Sequence, residues 1–135
     1  MLLLCEIIGM STSHRPSVQI FGVKRSVDTR KALRFFAERR IQTHFVNLAE
    51  RPAARGELIR FAQRFGVLEL VDHDSGRFAE LGLRHARHSD DRWLEILVQE
   101  PFLLRMPLVR HGHRLSIGLR ETEWKAWLTA EQVPD

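Results

Sequence analysis

VQIFGVKRSVDTRKALRFFAERR, residues Val18 to Arg40, decides how the chain is to be read. VQIFG is a short apolar run closed by Gly22, the pattern of a buried strand. From Val27 to Arg40 the apolar residues Ala32, Leu33, Phe36 and Ala37 recur at the spacing of an amphipathic helix. A strand, a tight loop and a helix therefore open the ordered part. Such a loop aims unpaired backbone N–H groups and the positive end of the helix dipole at one spot, here Ser26 to Thr29.

Outward from this unit the pattern continues. THFVN (Thr43 to Asn47) reads as a second strand, and Leu58, Phe61, Ala62 and Phe65 as the face of a second helix, with Pro52 near its start and Gly66 after its end. A β-α-β-α order with a right-handed crossover between parallel strands follows. Between Val67 and Leu83 the turn residues Asp72, Asp74, Ser75 and Gly76 break the pattern into short helical turns. Ser89 caps a helix whose apolar face is Trp93, Leu94, Leu97 and Val98, ending before Pro101. PLVR (Pro107 to Arg110), a turn at His111-Gly112-His113, and RLSIG (Arg114 to Gly118) read as an antiparallel hairpin. A helix from Glu121 to Leu128, with Trp124 and Trp127, closes the chain. The fold class is α/β with a four-stranded mixed sheet: β-α-β-α, a helical insert, then β-β-α. Residues 18–128 form one domain, 1–17 a flexible extension and 129–135 a tail; Met10 is an alternative start.

The 135 residues, 44% hydrophobic, suffice for one core and not for two. No apolar run is long enough to cross a bilayer, and MLLLCEIIGM lacks the basic lead and small-residue site of an export signal. Membrane partners are not expected. The single cysteine, Cys5, excludes an intramolecular disulfide and fits a reducing, cytoplasmic setting. The net charge is +4, and 18 of the 21 basic residues are Arg, spread along the sequence with acidic residues between them. That dispersion points to a solvated surface and not to direct nucleic-acid binding.

Three stretches carry a resemblance. FGVKRSVDTRKAL (Phe21 to Leu33), FAELGL (Phe78 to Leu83) and EPFLLRMPLVRHGHRLSIGLRETEW (Glu100 to Trp124) are similar to the opening loop and helix, the EELGL segment, and the P-x-L-x-x-R-P-I-V stretch of the arsenate reductase (ArsC/Spx) family. The resemblance covers about Val18 to Leu128. It implies a thioredoxin-like fold and a cis bond before Pro107.

It also implies a site, from which the sequence departs. The family's nucleophilic cysteine matches Ser26, and the second cysteine of related C-x-x-C proteins falls at Thr29. Serine forms no disulfide and, without a base, is a poor nucleophile. Where the family places Arg before the cis-proline to hold an oxyanion, this chain has Met106; Arg105, one position earlier, should point elsewhere because neighbours on an extended segment face opposite sides. Arg114 matches a basic residue on the following strand and is expected to face the site. Val27, Asp28, Thr29 and Pro107 complete the candidate set. Asp72 and Asp74 stand where some relatives carry Asn and Arg.

Other signals have plainer readings. His85 with His88, and His111 with His113, lack the three or four convergent ligands of a zinc site, so no metal is expected. Asp28 and Thr29 read as residues that satisfy open N–H groups in the first helical turn. Phe35, Phe36, Trp93, Trp124 and Trp127 read as core. Cys5 reads as a bystander thiol. Three functions follow: a non-catalytic binding or regulatory module, with RNA polymerase as partner by analogy with Spx alone; a glutathione- or oxyanion-binding, transferase-like protein using Ser26; and an arsenate reductase of unfamiliar route.

Overall fold

The computed structural model of the protein describes residues 17–132; the expected flexible extension up to residue 16, Cys5 and Met10 lie outside them. Strand β1 (Ser17–Gly22) and strand β2 (Gln42–Asn47) pair in parallel, with Ser17 opposite Gln42 and Gly22 opposite Asn47. Helix α1 (Val27–Glu38) makes the crossover between them. After α2 (Arg55–Phe65), a short 3₁₀ turn (Val67–Leu70), α3 (Gly76–Glu80), α4 (Asp90–Gln99) and a second 3₁₀ turn (Pro101–Leu103), the chain returns to the sheet. Strand β3 (Leu108–His111) runs antiparallel to β1, and β4 (Arg114–Ile117) antiparallel to β3, giving the order β2-β1-β3-β4. Helix α5 (Glu121–Gln132) follows. This is the expected mixed sheet.

Alternation along the strands divides the interior in two. Val18, Ile20 and Val109 pack with Ala32, Phe35 and Phe36 of α1 and with Trp124, Trp127 and Leu128 of α5. Phe21, Val46, Leu108, Leu115 and Ile117 face the other way, onto Leu58 and Phe61 of α2 and Trp93 and Leu97 of α4. On the first face the rings of Phe35 and Phe36 lie 5.3 and 5.1 Å from Trp124, whose indole Nε1 donates to Ser116 Oγ at 2.8 Å. A buried indole thus finds its acceptor within the core.

Four boundaries differ from the sequence reading. Helix α1 stops at Glu38, because Arg40 takes a left-handed φ of 59° and its N–H closes the last turn on Ala37 O. Pro52 lies ahead of α2; the helix starts where the Glu57 carboxylate accepts from Ala54 N at 2.8 Å. His111 belongs to β3, paired with Arg114, so the turn is Gly112-His113 with Gly112 at φ 65°. Helix α5 runs on past Leu128 to Gln132, within the stretch read as a tail.

Candidate functional site

Ser26 stands where the β1–α1 loop becomes helix. Its N–H donates to Val23 O at 3.0 Å, and its Oγ accepts from Thr29 N at 3.2 Å. With φ −75° and ψ 122° it is the N-cap of α1, satisfying one of the helix's open donors. This corrects the expectation that Asp28 and Thr29 do the capping. Asp28 sits in the first turn, where the dipole favours a carboxylate. Thr29 turns inward: it is fully buried, and its hydroxyl has no hydrogen-bond partner among the described residues. Its side chain occupies the space that Gly22 leaves, since a Cβ on Gly22 would stand 2.8 Å from Thr29 Cγ2. The Ser26 cap and the packing of Thr29 against Gly22 fix the loop together.

The second wall comes from the start of β3. The Met106–Pro107 peptide bond is cis, as the resemblance implied. Pro107 O accepts from Gly118 N at 2.8 Å, tying the bend to the end of β4. Met106 is half-buried and lines the same hollow as Ser26. Arg105 points away, as alternation requires: its backbone N–H donates to Leu70 O at 2.8 Å and its guanidinium lies 3.6 Å from the Glu69 carboxylate.

Arg114 is a correction. It pairs with His111 at the turn end of the hairpin, whereas Pro107 is at the other end beside Ile117 and Gly118, three residues along the ladder. Three residues of strand are roughly 10 Å. Its guanidinium donates to Trp127 O at 3.1 Å, so it braces α5 and does not line the Ser26 hollow.

Of the expected residues, Ser26, Val27, Asp28 and Met106 therefore converge on one hollow of about 340 Å³. Asp72, Phe102 and Leu104 join them, and among the described residues no Lys or Arg lines the hollow. Asp72 is held there by a bridge between Val71 and Leu104: its N–H donates to Leu103 O at 2.7 Å, and its Oδ1 accepts from Asp74 N at 3.1 Å. Sequence reading placed Asp72 in a turn, noted it by resemblance as a departure from the family, and left Phe102 unassigned; the bridge that brings both to the site is a long-range contact. Phe102 is 38% exposed and carries the Arg25 guanidinium 4.8 Å above its ring. Beyond it lies a second hollow, where Arg77 Nε donates to Glu100 at 2.7 Å and its Nη1 to Glu80 at 3.2 Å. The hydrogen bond from Arg77 holds the Glu100 carboxyl below its usual range.

The histidines among the described residues do not gather. His73 packs edge-on against Phe78 and His88 against Trp93, while His111 is buried with Nδ1 2.8 Å from Ser17 O. No three His, Cys, Asp or Glu side chains among the described residues are placed to share a metal ion. Nor is any described helix long and apolar enough to cross a membrane.

Comparison with known proteins gives a consistent result. Residues 21–127 match the model of the ArsC family. The uncharacterized protein YusI of Bacillus subtilis is 27% identical over 100 residues, covering 71% of this chain and 85% of YusI. The arsenate reductase of Vibrio cholerae superposes with a TM-score of 0.71 at 21% identity, over 81% of this chain and 95% of the other. An arsenate reductase (ArsC) related protein of Brucella melitensis superposes with a TM-score of 0.61 at 21% identity, over 83% and 94%. The fold they share with this chain is the thioredoxin-like one.

Proposed function

The chain belongs to the ArsC family, and from that premise we propose that it is a non-catalytic binding or regulatory module whose Ser26 stands where relatives use a redox cysteine. The observation that carries this reading is the make-up of the hollow beside Ser26. Among the described residues its ionisable side chains are two carboxylates, Asp28 and Asp72, with no cation lining it. Arsenate is an anion at neutral pH, and a site of that charge repels it. Ser26 has no base in hydrogen-bond contact among the described residues, its oxygen being engaged as a helix cap. Among the described residues, neither half of the reductase chemistry, nucleophile or oxyanion clamp, is supplied at this hollow.

The same two carboxylates weigh against the glutathione reading, because glutathione brings carboxylates of its own to the loop. Its thiolate end, but not its acid groups, would suit the N–H donors at Ser26.

The test is a turnover assay with arsenate, glutathione and glutaredoxin. We expect rates at background for the full chain and for Ser26→Ala. Turnover that disappears in Ser26→Ala refutes the proposal; turnover that disappears in Cys5→Ser assigns the chemistry to the N-terminal thiol instead. Calorimetric titration with reduced glutathione separates the second reading, for which binding lost in Ser26→Ala is the expected sign.

A further inference from the structure

Cations that are dispersed in the sequence become segregated in the fold. Every ion pair formed among the described residues lies on the side of α2, α3 and α4: Arg55–Asp91, Arg77–Glu80, Arg77–Glu100, Arg92–Glu95 and Arg105–Glu69. The α1 side has none. Lys24 to Arg40 contains seven Lys and Arg against two carboxylates, Asp28 and Glu38. That excess of five exceeds the +4 of the whole chain, so the remainder of the molecule is close to neutral. All seven cations are exposed, and none is within ion-pair distance of a carboxylate among the described residues.

Helical geometry sets three of them in one row. Arg30, Lys31 and Arg34 lie at i, i+1 and i+4 on the face of α1 opposite the buried Thr29, Ala32 and Phe36. Lys24 and Arg25 extend the row at the loop, Arg39 and Arg40 at the other end. Val27, 53% exposed, sits within it. Between α1 and the start of α5, Lys31, Arg34 and Arg39 rim a hollow of about 340 Å³ together with Leu119, Glu38 and Glu121.

We propose that this face of α1 is a docking surface for an acidic protein segment that carries apolar side chains between its carboxylates. Charge complementarity is the first argument: an unneutralised row of mostly Arg suits carboxylates, which accept the guanidinium fork in bidentate fashion. The surroundings exclude a nucleic-acid backbone as the better fit. Single-stranded nucleic acid needs exposed aromatic faces for stacking, and here Phe35 is buried beneath Arg39 at 3.7 Å, while the partly exposed Phe102 already carries the Arg25 guanidinium over one face. Glu38 and Glu121 in the hollow oppose a continuous run of phosphates, whereas a peptide can set an apolar side chain against Leu119 there. The proposal deepens the binding-module reading by naming the chemistry of its partner. The surface meets the Ser26 hollow at Val27, but Arg30, Lys31 and Arg34 do not line that hollow, so failure of the docking test leaves the turnover test of that reading intact.

The experiment measures fluorescence anisotropy of a labelled 14-residue peptide of alternating Glu and Leu, and of a labelled 20-base-pair DNA duplex, against the full chain at physiological salt. The peptide should bind, and Arg30→Glu/Lys31→Glu/Arg34→Glu should weaken it roughly tenfold or more. Arg60→Glu/Arg64→Glu, a change to exposed cations of α2, should leave it unchanged; circular dichroism confirms that both variants fold. No peptide binding, equal weakening by the α2 variant, or tighter binding of the duplex that is lost in the α1 variant would each overturn the proposal.

Discussion

Thr29 is the residue where local sequence and three-dimensional packing part company. In the first turn of a helix a threonine reads as a capping residue, yet the cap is Ser26 and the Thr29 hydroxyl is buried without a partner among the described residues. Burial of an unpaired hydroxyl is unfavourable, so Thr29→Val, which keeps the shape that fills the space beside Gly22, should raise stability by about 1 kcal/mol. Urea denaturation checks this; a fall of similar size would mean that the hydroxyl is bonded after all. At Ser26 the same geometry can be probed with a thiol. Ser26→Cys in a Cys5→Ser background places sulfur where Thr29 N–H donates and the dipole of α1 points. Its pKa should fall below the free-cysteine value of about 8.5, and Asp28→Asn should lower it further by removing a neighbouring negative charge. Alkylation rates against pH measure both. A value at or above about 8.5 in the presence of Asp28→Asn would show that the helix terminus does not act on residue 26.

At the scale of elements, one ion pair ties α3 to the segment after α4. Arg77, in α3, donates to Glu100, the C-cap of α4, and to Glu80 one turn on. The hydrogen bond from Arg77 is the main reason that the Glu100 carboxyl is depressed below its ordinary 4.5. A carboxyl depressed by folding contributes stability above its unfolded value and loses it as pH falls through the folded one. The stability difference between the parent and Glu100→Gln should therefore be widest near neutral pH, begin to shrink below about pH 4.5, and be small throughout because both groups are solvent-screened. Denaturation midpoints at pH 7, 5, 4 and 3 test the sign, and a gap that grows toward acid would refute it. Element types were legible from periodicity: strand, helix and hairpin each announced themselves in Val18–Gly22, Ser89–Val98 and Pro107–Gly118. Boundaries were less so. Nothing local distinguishes Arg39 as the end of α1 from one more helical turn, and Pro52 is as compatible with a connection as with a first turn.

Over the whole molecule, the hollow beside Ser26 is assembled from three parts of the chain that meet only when the sheet and the insert are both in place. The β1–α1 loop supplies Ser26 and Asp28, the Val71–Leu104 bridge brings in Asp72 and Leu104, and the start of β3 supplies Met106. This is why sequence reading found Ser26, Met106 and the misleading Arg114 by resemblance, but not the charge of the site. Resemblance assigns residues one at a time; the sign of the cavity depends on which of them converge. It follows that Met106→Arg with Ser26→Cys should restore oxyanion binding only weakly. The new guanidinium would lie beside Asp28 and Asp72, and a carboxylate fixed in the same hollow competes with a dissolved anion for the same fork. Adding Asp72→Asn removes the competing charge that the insert delivers while leaving the Asp74 N–H an oxygen acceptor. Calorimetry with sulfate or arsenate should then rank the parent and the double variant close together, with the triple variant roughly tenfold tighter. If the double variant already binds as tightly as the triple, Asp72 does not set the character of the site, and the loss of the oxyanion clamp rests on the side chain before Pro107 alone.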